Sequence, residues 1–74
     1  MRIVRTVNDL KQCIYEIFEN KINPDLNTKI TDHIVDGTGD KQQLFWQCNV
    51  ALNGTKLDMD KVAEFRDVVF QLND

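Results

Sequence analysis

The apolar residues at the beginning of the chain recur at the spacing of a helix. Five of them share one helical face: Val7, Leu10, Ile14, Ile17 and Phe18. Thr6, followed three positions later by Asp9, has the pattern of an acidic capping box, in which each side chain accepts from a free backbone N–H. We predict a first helix that begins near Thr6 and ends by Ile22, because Pro24 biases the residue before it toward an extended conformation.

A second pattern, alternation of apolar and polar residues, runs from about Gln42 to Leu52. Such alternation is typical of a strand with one buried and one outer face. The predicted buried set is Leu44, Trp46, Cys48, Val50 and Leu52, and the outer set is Gln43, Phe45, Gln47, Asn49 and Ala51. A strand needs a partner for its backbone groups. We predict that residues 28–35 supply it, with Ile30 and Ile34 pointing inward, through a hairpin turn at residues 36–40.

Residues 24–35 also fit a helix. Asp32 shares the face of Ile30 and Ile34, so a strand there would lie at an edge or contain a bulge. Pro24, between Asn23 and Asp25, is a good helix start, with Leu26, Ile30 and Ile34 as the apolar stripe. We prefer the strand, because a helix in this position would leave the long strand without a partner of comparable length.

The last helix is predicted to begin at Asp58, with Leu57 and Val62 as a hydrophobic staple. Its predicted core stripe is Val62, Phe65, Val69 and Leu72, widened by Val68. Asn53-Gly54 is a turn signal, and Thr55–Leu57 and Arg2–Arg5 are candidates for short additional strands. We therefore predict a single α+β domain over residues 1–74. It has the order αββ(β)α, an antiparallel hairpin or three-stranded sheet packed by two amphipathic helices.

The length and the net charge of the chain limit the classes of function that it can have. A chain of 74 residues has a thin core, and a net charge of −3 disfavours a strongly basic nucleic-acid binder. Charged residues throughout positions 1–20 fit no signal region, and no apolar run approaches the ~20 residues that span a membrane. We expect a cytoplasmic protein in which Cys13 and Cys48 are reduced thiols that pack as small hydrophobic residues.

The residues with catalytic potential form no recognisable site. Cys48 is predicted to point inward and His33 outward, so they cannot form a nucleophile–base pair. The spacing of Cys13, His33 and Cys48 does not fit a zinc site. The two glycines of residues 36–40 lack the Gly-Lys-Ser/Thr ending of a phosphate-binding loop. We expect no enzyme activity, no cofactor, no metal and no small-molecule substrate.

Two surfaces are candidates for binding a partner. The first is the outer face of the predicted sheet, where Phe45, Gln47 and Asn49 carry no charge and His33 lies on the neighbouring strand. This face is equally well explained as one that the domain's own helix or terminal arm covers. If the protein forms a homodimer, this surface or the second one, described next, would form the interface.

The second surface is a stripe on the last helix. Met59, Ala63, Arg66 and Phe70 recur at i, i+4, i+7 and i+11, beside the core stripe. Met, Phe and Arg are enriched at protein interfaces. The alternative is that Phe70 is peripheral core under the edge of the sheet.

The order helix–strand–strand–strand–helix resembles a double-stranded-RNA-binding domain, and Val50-Ala-Leu-Asn-Gly-Thr-Lys-Leu57 is similar to that family's last hairpin. The resemblance implies binding to duplex RNA. The family's final helix opens with a cluster of lysines, whereas this one opens with Asp58, Met59 and Asp60 before Lys61. Because phosphate contacts supply most of such affinity, we carry over no binding residues.

The leading hypothesis is a non-enzymatic protein-binding module, a small acidic inhibitor or adaptor of the kind that phages and accessory elements often encode. Its partner is another protein or its own copy. The alternative is a nucleic-acid-binding domain that uses the Arg2 and Arg5 end and stacks Phe45 on a base.

Overall fold

The computed structural model describes residues 2–37, 40–53 and 58–72, and its regular structure is mostly helical. Its elements in chain order are β1 (Ile3–Val4), α1 (Val7–Ile17), α2 (Pro24–Asp36), α3 (Lys41–Asn53), α4 (Met59–Arg66) and β2 (Val69–Phe70). The predicted αββ(β)α hairpin domain is therefore wrong, because both segments of the predicted hairpin are helices. The resemblance to a double-stranded-RNA-binding domain depended on that hairpin, so it is also wrong.

The predicted beginnings of the first and last helices are confirmed. Thr6 Oγ1 accepts a hydrogen bond from the backbone N–H of Asp9 at 3.0 Å. Asp58 Oδ1 accepts from the N–H of Asp60 at 2.9 Å. Each bond satisfies a backbone donor that a helix leaves free in its first turn. Leu57, the other half of the predicted staple, lies outside the described residues.

Helix α2 occupies the segment in which a strand was preferred. Asn23 Oδ1 accepts from the N–H of Leu26 at 2.8 Å, and Pro24 occupies the first turn, where its missing N–H costs nothing. Gly37 ends the helix in the left-handed conformation at a φ of 71°. In a strand, Asp32 would share the inward face of Ile30. In the helix the two residues lie on different faces, so Asp32 is exposed while Ile30 is buried.

Helix α3 occupies the predicted central strand and reverses its two faces. Asp40 Oδ1 accepts from the N–H of Gln42 at 2.8 Å and from that of Gln43 at 3.1 Å, which fixes the first turn. Phe45, predicted to point outward, is fully buried, whereas Trp46, predicted to point inward, is 43% exposed. The segment that was predicted as a hairpin turn, residues 36–40, joins α2 to α3; Thr38 and Gly39 lie outside the described residues.

The last helix is shorter than predicted. It ends at Arg66, and Val69–Phe70 forms β2, which pairs in parallel with β1. The N–H of Val69 donates to the carbonyl oxygen of Arg2 at 2.9 Å, and the N–H of Gln71 donates to that of Val4 at 2.8 Å. Thus Val69 and Phe70 belong to a strand, and the helical stripe predicted through Leu72 is wrong. A strand does form within the candidate segment Arg2–Arg5; the candidate at Thr55–Leu57 lies outside the described residues.

One buried cluster connects all four helices. Each helix packs on the next along the chain, and α1 also packs on α4. Four aromatic rings run through this cluster in contacting pairs: Phe18, Phe45, Phe65 and Phe70. Two buried polar side chains of α2 are hydrogen-bonded: Asn27 Nδ2 donates to the carbonyl oxygen of Lys11 in α1 at 3.2 Å, and Thr31 Oγ1 donates to the carbonyl oxygen of Asn27 at 2.8 Å. None of the helices within the described ranges is long and apolar enough to cross a membrane.

Candidate protein-interaction surface

The solvent-facing side of α3 carries two large exposed apolar side chains and, from Gln42 onward, no charged residue. Trp46 is 43% exposed and Val50 is 54% exposed, and they lie four residues apart, on the same face. The exposed residues Gln43 and Gln47 flank them at the same helical spacing. The sequence contains no charged residue between Lys41 and Lys56. A solvent-facing helix in a small protein ordinarily carries charges on its outer face, so this face departs from the usual pattern.

A groove between α3 and α4 continues this face. A depression of about 260 Å³ beside Trp46 is lined by Asp40, Gln42, Gln43, Trp46 and Met59. Met59, in the first turn of α4, is 41% exposed. We name the set Gln43, Trp46, Gln47, Val50 and Met59 the Trp46 surface.

Two contacts hold the ends of α3 and α4 beside each other. Arg66 Nη1 donates to Gln42 Oε1 at 3.3 Å. Lys41 Nζ donates to the carbonyl oxygen of Arg66 at 3.4 Å. Both contacts join the beginning of α3 to the end of α4.

Lys41 also covers the aromatic core. Its Nζ lies 4.1 Å from the ring centroid of Phe70 and 5.8 Å from that of Phe65. Burial, and then the nearby charge of Arg66, lower the pKa of Lys41. Lys41 therefore packs against the aromatic rings of Phe65 and Phe70.

The first surface predicted from the sequence does not exist as a surface. Phe45 is fully buried and Asn49 is buried beside it on the same helix, so of the predicted outer set only Gln43, Gln47 and Ala51 are exposed. His33 is exposed on α2 and is not among the residues that line the depression beside Trp46. The alternative explanation, that the protein's own elements cover this face, holds for Phe45 and Asn49.

The second predicted surface survives in part. Met59 borders the depression, and Arg66 contacts Gln42 at the other end of α4, so this side of α4 does face α3. Phe70 lies in β2, is half-buried, and has its ring centroid 5.6 Å from that of Phe65. Phe70 is thus peripheral core, and a four-residue stripe on one helix is wrong.

Trp46 and Val50 were missed because the alternating pattern predicted them to be buried. Two signals in the sequence indicate the helix instead. Asp40 with Gln43 three positions later is a capping-box pattern, and Asp40 Oδ1 does accept from the backbone N–H groups of Gln42 and Gln43 in this first turn. The second signal is the long uncharged run, which places apolar residues on every side of a helix. Such a helix has another apolar side besides the one that packs on the core.

The residues that could take part in catalysis or metal binding lie outside the Trp46 surface. In the part of the chain that the structure describes, no three His, Cys, Asp or Glu side chains come together to hold a metal ion. Cys13 is fully buried, and burial raises the pKa of its thiol. A second depression, of about 400 Å³, is lined by Arg2, Ile17, Glu64, Asp67 and Val68. The guanidinium of Arg2 is hydrogen-bonded to the carboxylate of Glu16, which lowers the pKa of Glu16.

Compared with protein-family models, curated proteins and solved structures, the chain gives no significant match.

Proposed function

We propose that this protein is a non-enzymatic protein-binding module, a small inhibitor or adaptor, and that the Trp46 surface is the part that binds. One observation carries the proposal: Trp46 and Val50 expose about half of their side chains on a helix face that has no charge. Exposed apolar patches with a polar rim mark interaction sites, and tryptophan is the residue most enriched among binding hot spots.

The composition of the patch fits a protein partner. Trp46 and Met59 supply apolar area beside the depression, and the amides of Gln43 and Gln47 supply hydrogen-bond groups at its rim. An apolar centre with a polar rim is the usual anatomy of a protein interface. The partner is therefore another protein, or a second copy of this chain, that presents an apolar face of similar size.

The position of Cys13 argues against the alternative of a cysteine enzyme that uses this thiol. Cys13 is buried and the pKa of its thiol is raised, so it is a poor nucleophile at neutral pH. We place the protein in the cytoplasm, where Cys13 and Cys48 remain reduced.

Nucleic-acid binding is the weaker candidate. It required Phe45 to stack on a base and the Arg2 and Arg5 end of the chain to contact phosphate. The ring of Phe45 is inaccessible, and Arg2 is engaged by Glu16. We therefore do not propose it.

The test is affinity capture with the immobilised full chain from a lysate of its own host cell. Three forms are compared: the natural protein, Val50→Glu and Val35→Glu. Val35 is a matched control, because it is also a helical valine near the end of its helix and is 49% exposed. A charge at position 50 should abolish capture through the Trp46 surface, whereas the same charge at position 35 should not.

A protein that is retained by the natural chain and by Val35→Glu, lost with Val50→Glu, and bound again when purified supports the proposal. Equal capture by both variants, with both folded by circular dichroism, would place binding elsewhere and contradict it.

A further inference from the structure

We draw no further inference here: the strongest candidate, the depression beside Trp46 between the first turns of α3 and α4, belongs to the surface already described, and nothing in the structure shows what covers it.

Discussion

The rings of Phe45 and Phe65 lie 4.9 Å apart between centroids and meet nearly edge to face, at an interplanar angle of 76°. Phe45 also contacts Phe18, with centroids 4.8 Å apart. These two contacts join α3 to α4 and to α1, and they use the favoured geometry of aromatic pairs. The inward position of Phe45 is what turns Trp46, one residue further along the helix, toward solvent.

Replacing Phe45 and Trp46 by alanine should have very different effects on stability. Phe45→Ala removes a fully buried ring, so the free energy of unfolding should fall by about 3–5 kcal/mol. Trp46→Ala alters an exposed side chain and should cost about 1 kcal/mol or less. Urea denaturation followed by circular dichroism measures both.

The sequence pattern alone predicts the opposite order, with Trp46 buried and Phe45 outside. If Phe45→Ala does not fold, Phe45→Leu should still lower the free energy of unfolding by about 1 kcal/mol. A larger loss for Trp46→Ala than for either Phe45 variant would contradict the orientation of α3.

Glu19→Gly should stabilise the fold. Glu19 follows α1 with a φ of 57°, in the left-handed region, where a side chain costs roughly 1 kcal/mol and glycine costs little. Its ion pairs, with Lys21 at 3.4 Å and Lys61 at 3.9 Å, are exposed and contribute little. We expect a gain of about 0.5–1 kcal/mol in the free energy of unfolding, measured by thermal or urea denaturation.

Two control variants separate the backbone effect from the charge. Glu19→Ala removes the carboxylate but keeps the Cβ, so it should give no gain. Asn20→Gly, at a φ of 61°, should gain less than Glu19→Gly because asparagine tolerates this conformation. An equal gain from Glu19→Ala would show that charge, not backbone conformation, is responsible.

The pair Arg2–Glu16 should make stability depend on pH in the acid range. The hydrogen bond from Arg2 lowers the pKa of Glu16 in the folded state. The contribution of this ion pair to the free energy of unfolding is therefore present above about 4.3, the pKa of a glutamate in the unfolded chain. It is lost as the pH falls through the lower pKa of the folded state. Glu16→Gln should reduce the free energy of unfolding at pH 7, and the difference from the natural chain should disappear as the pH falls through the lowered folded-state pKa of Glu16.

Glu64→Gln serves as the control for this experiment. Glu64 is also an exposed helical carboxylate, and its Oε2 lies 3.9 Å from Lys61 Nζ. We expect a smaller loss at neutral pH from this variant. A pH-independent difference between Glu16→Gln and the natural chain would show that Glu16 acts through packing alone.

The two thiols should differ in reactivity. Cys13 is fully buried and the pKa of its thiol is raised by that burial, whereas Cys48 is only half-buried. A disulfide reagent such as DTNB, added to the folded chain, should modify Cys48 first and Cys13 roughly 10²–10³-fold more slowly, at the rate of unfolding events. Cys13→Ser and Cys48→Ser assign the two phases, and equal rates in the folded chain would contradict the buried position of Cys13.

The beginnings of α1 and α4 were predictable because local interactions decide them. Thr6 and Asp58 each accept from a backbone N–H within three residues. Such bonds need no distant partner, so their pattern appears in the sequence. The apolar face of α1 was predictable for the same reason, apart from Val7, which is exposed at its first position.

Helix α3 shows where a local pattern becomes ambiguous. Leu44 and Cys48 are four residues apart, a spacing that fits both a strand face and a helix face. The preference for a strand in residues 28–35 followed from assigning α3 as a strand, so one wrong assignment produced the other. The start signal at Asn23-Pro24 and the capping pattern at Asp40 were both correct as local signals.

The sequence by itself determined the helix caps, the apolar face of α1 and the uncharged character of residues 42–53. Only the tertiary structure decided that Val69 and Phe70 leave α4 to pair with Ile3 and Val4, because that pairing joins residues from the two ends of the described chain. Only the tertiary structure, likewise, decided which side of α3 is buried. Phe45 fits between Phe18 and Phe65, and the rotation of α3 that buries its ring among these distant partners leaves Trp46 and Val50 on the solvent side.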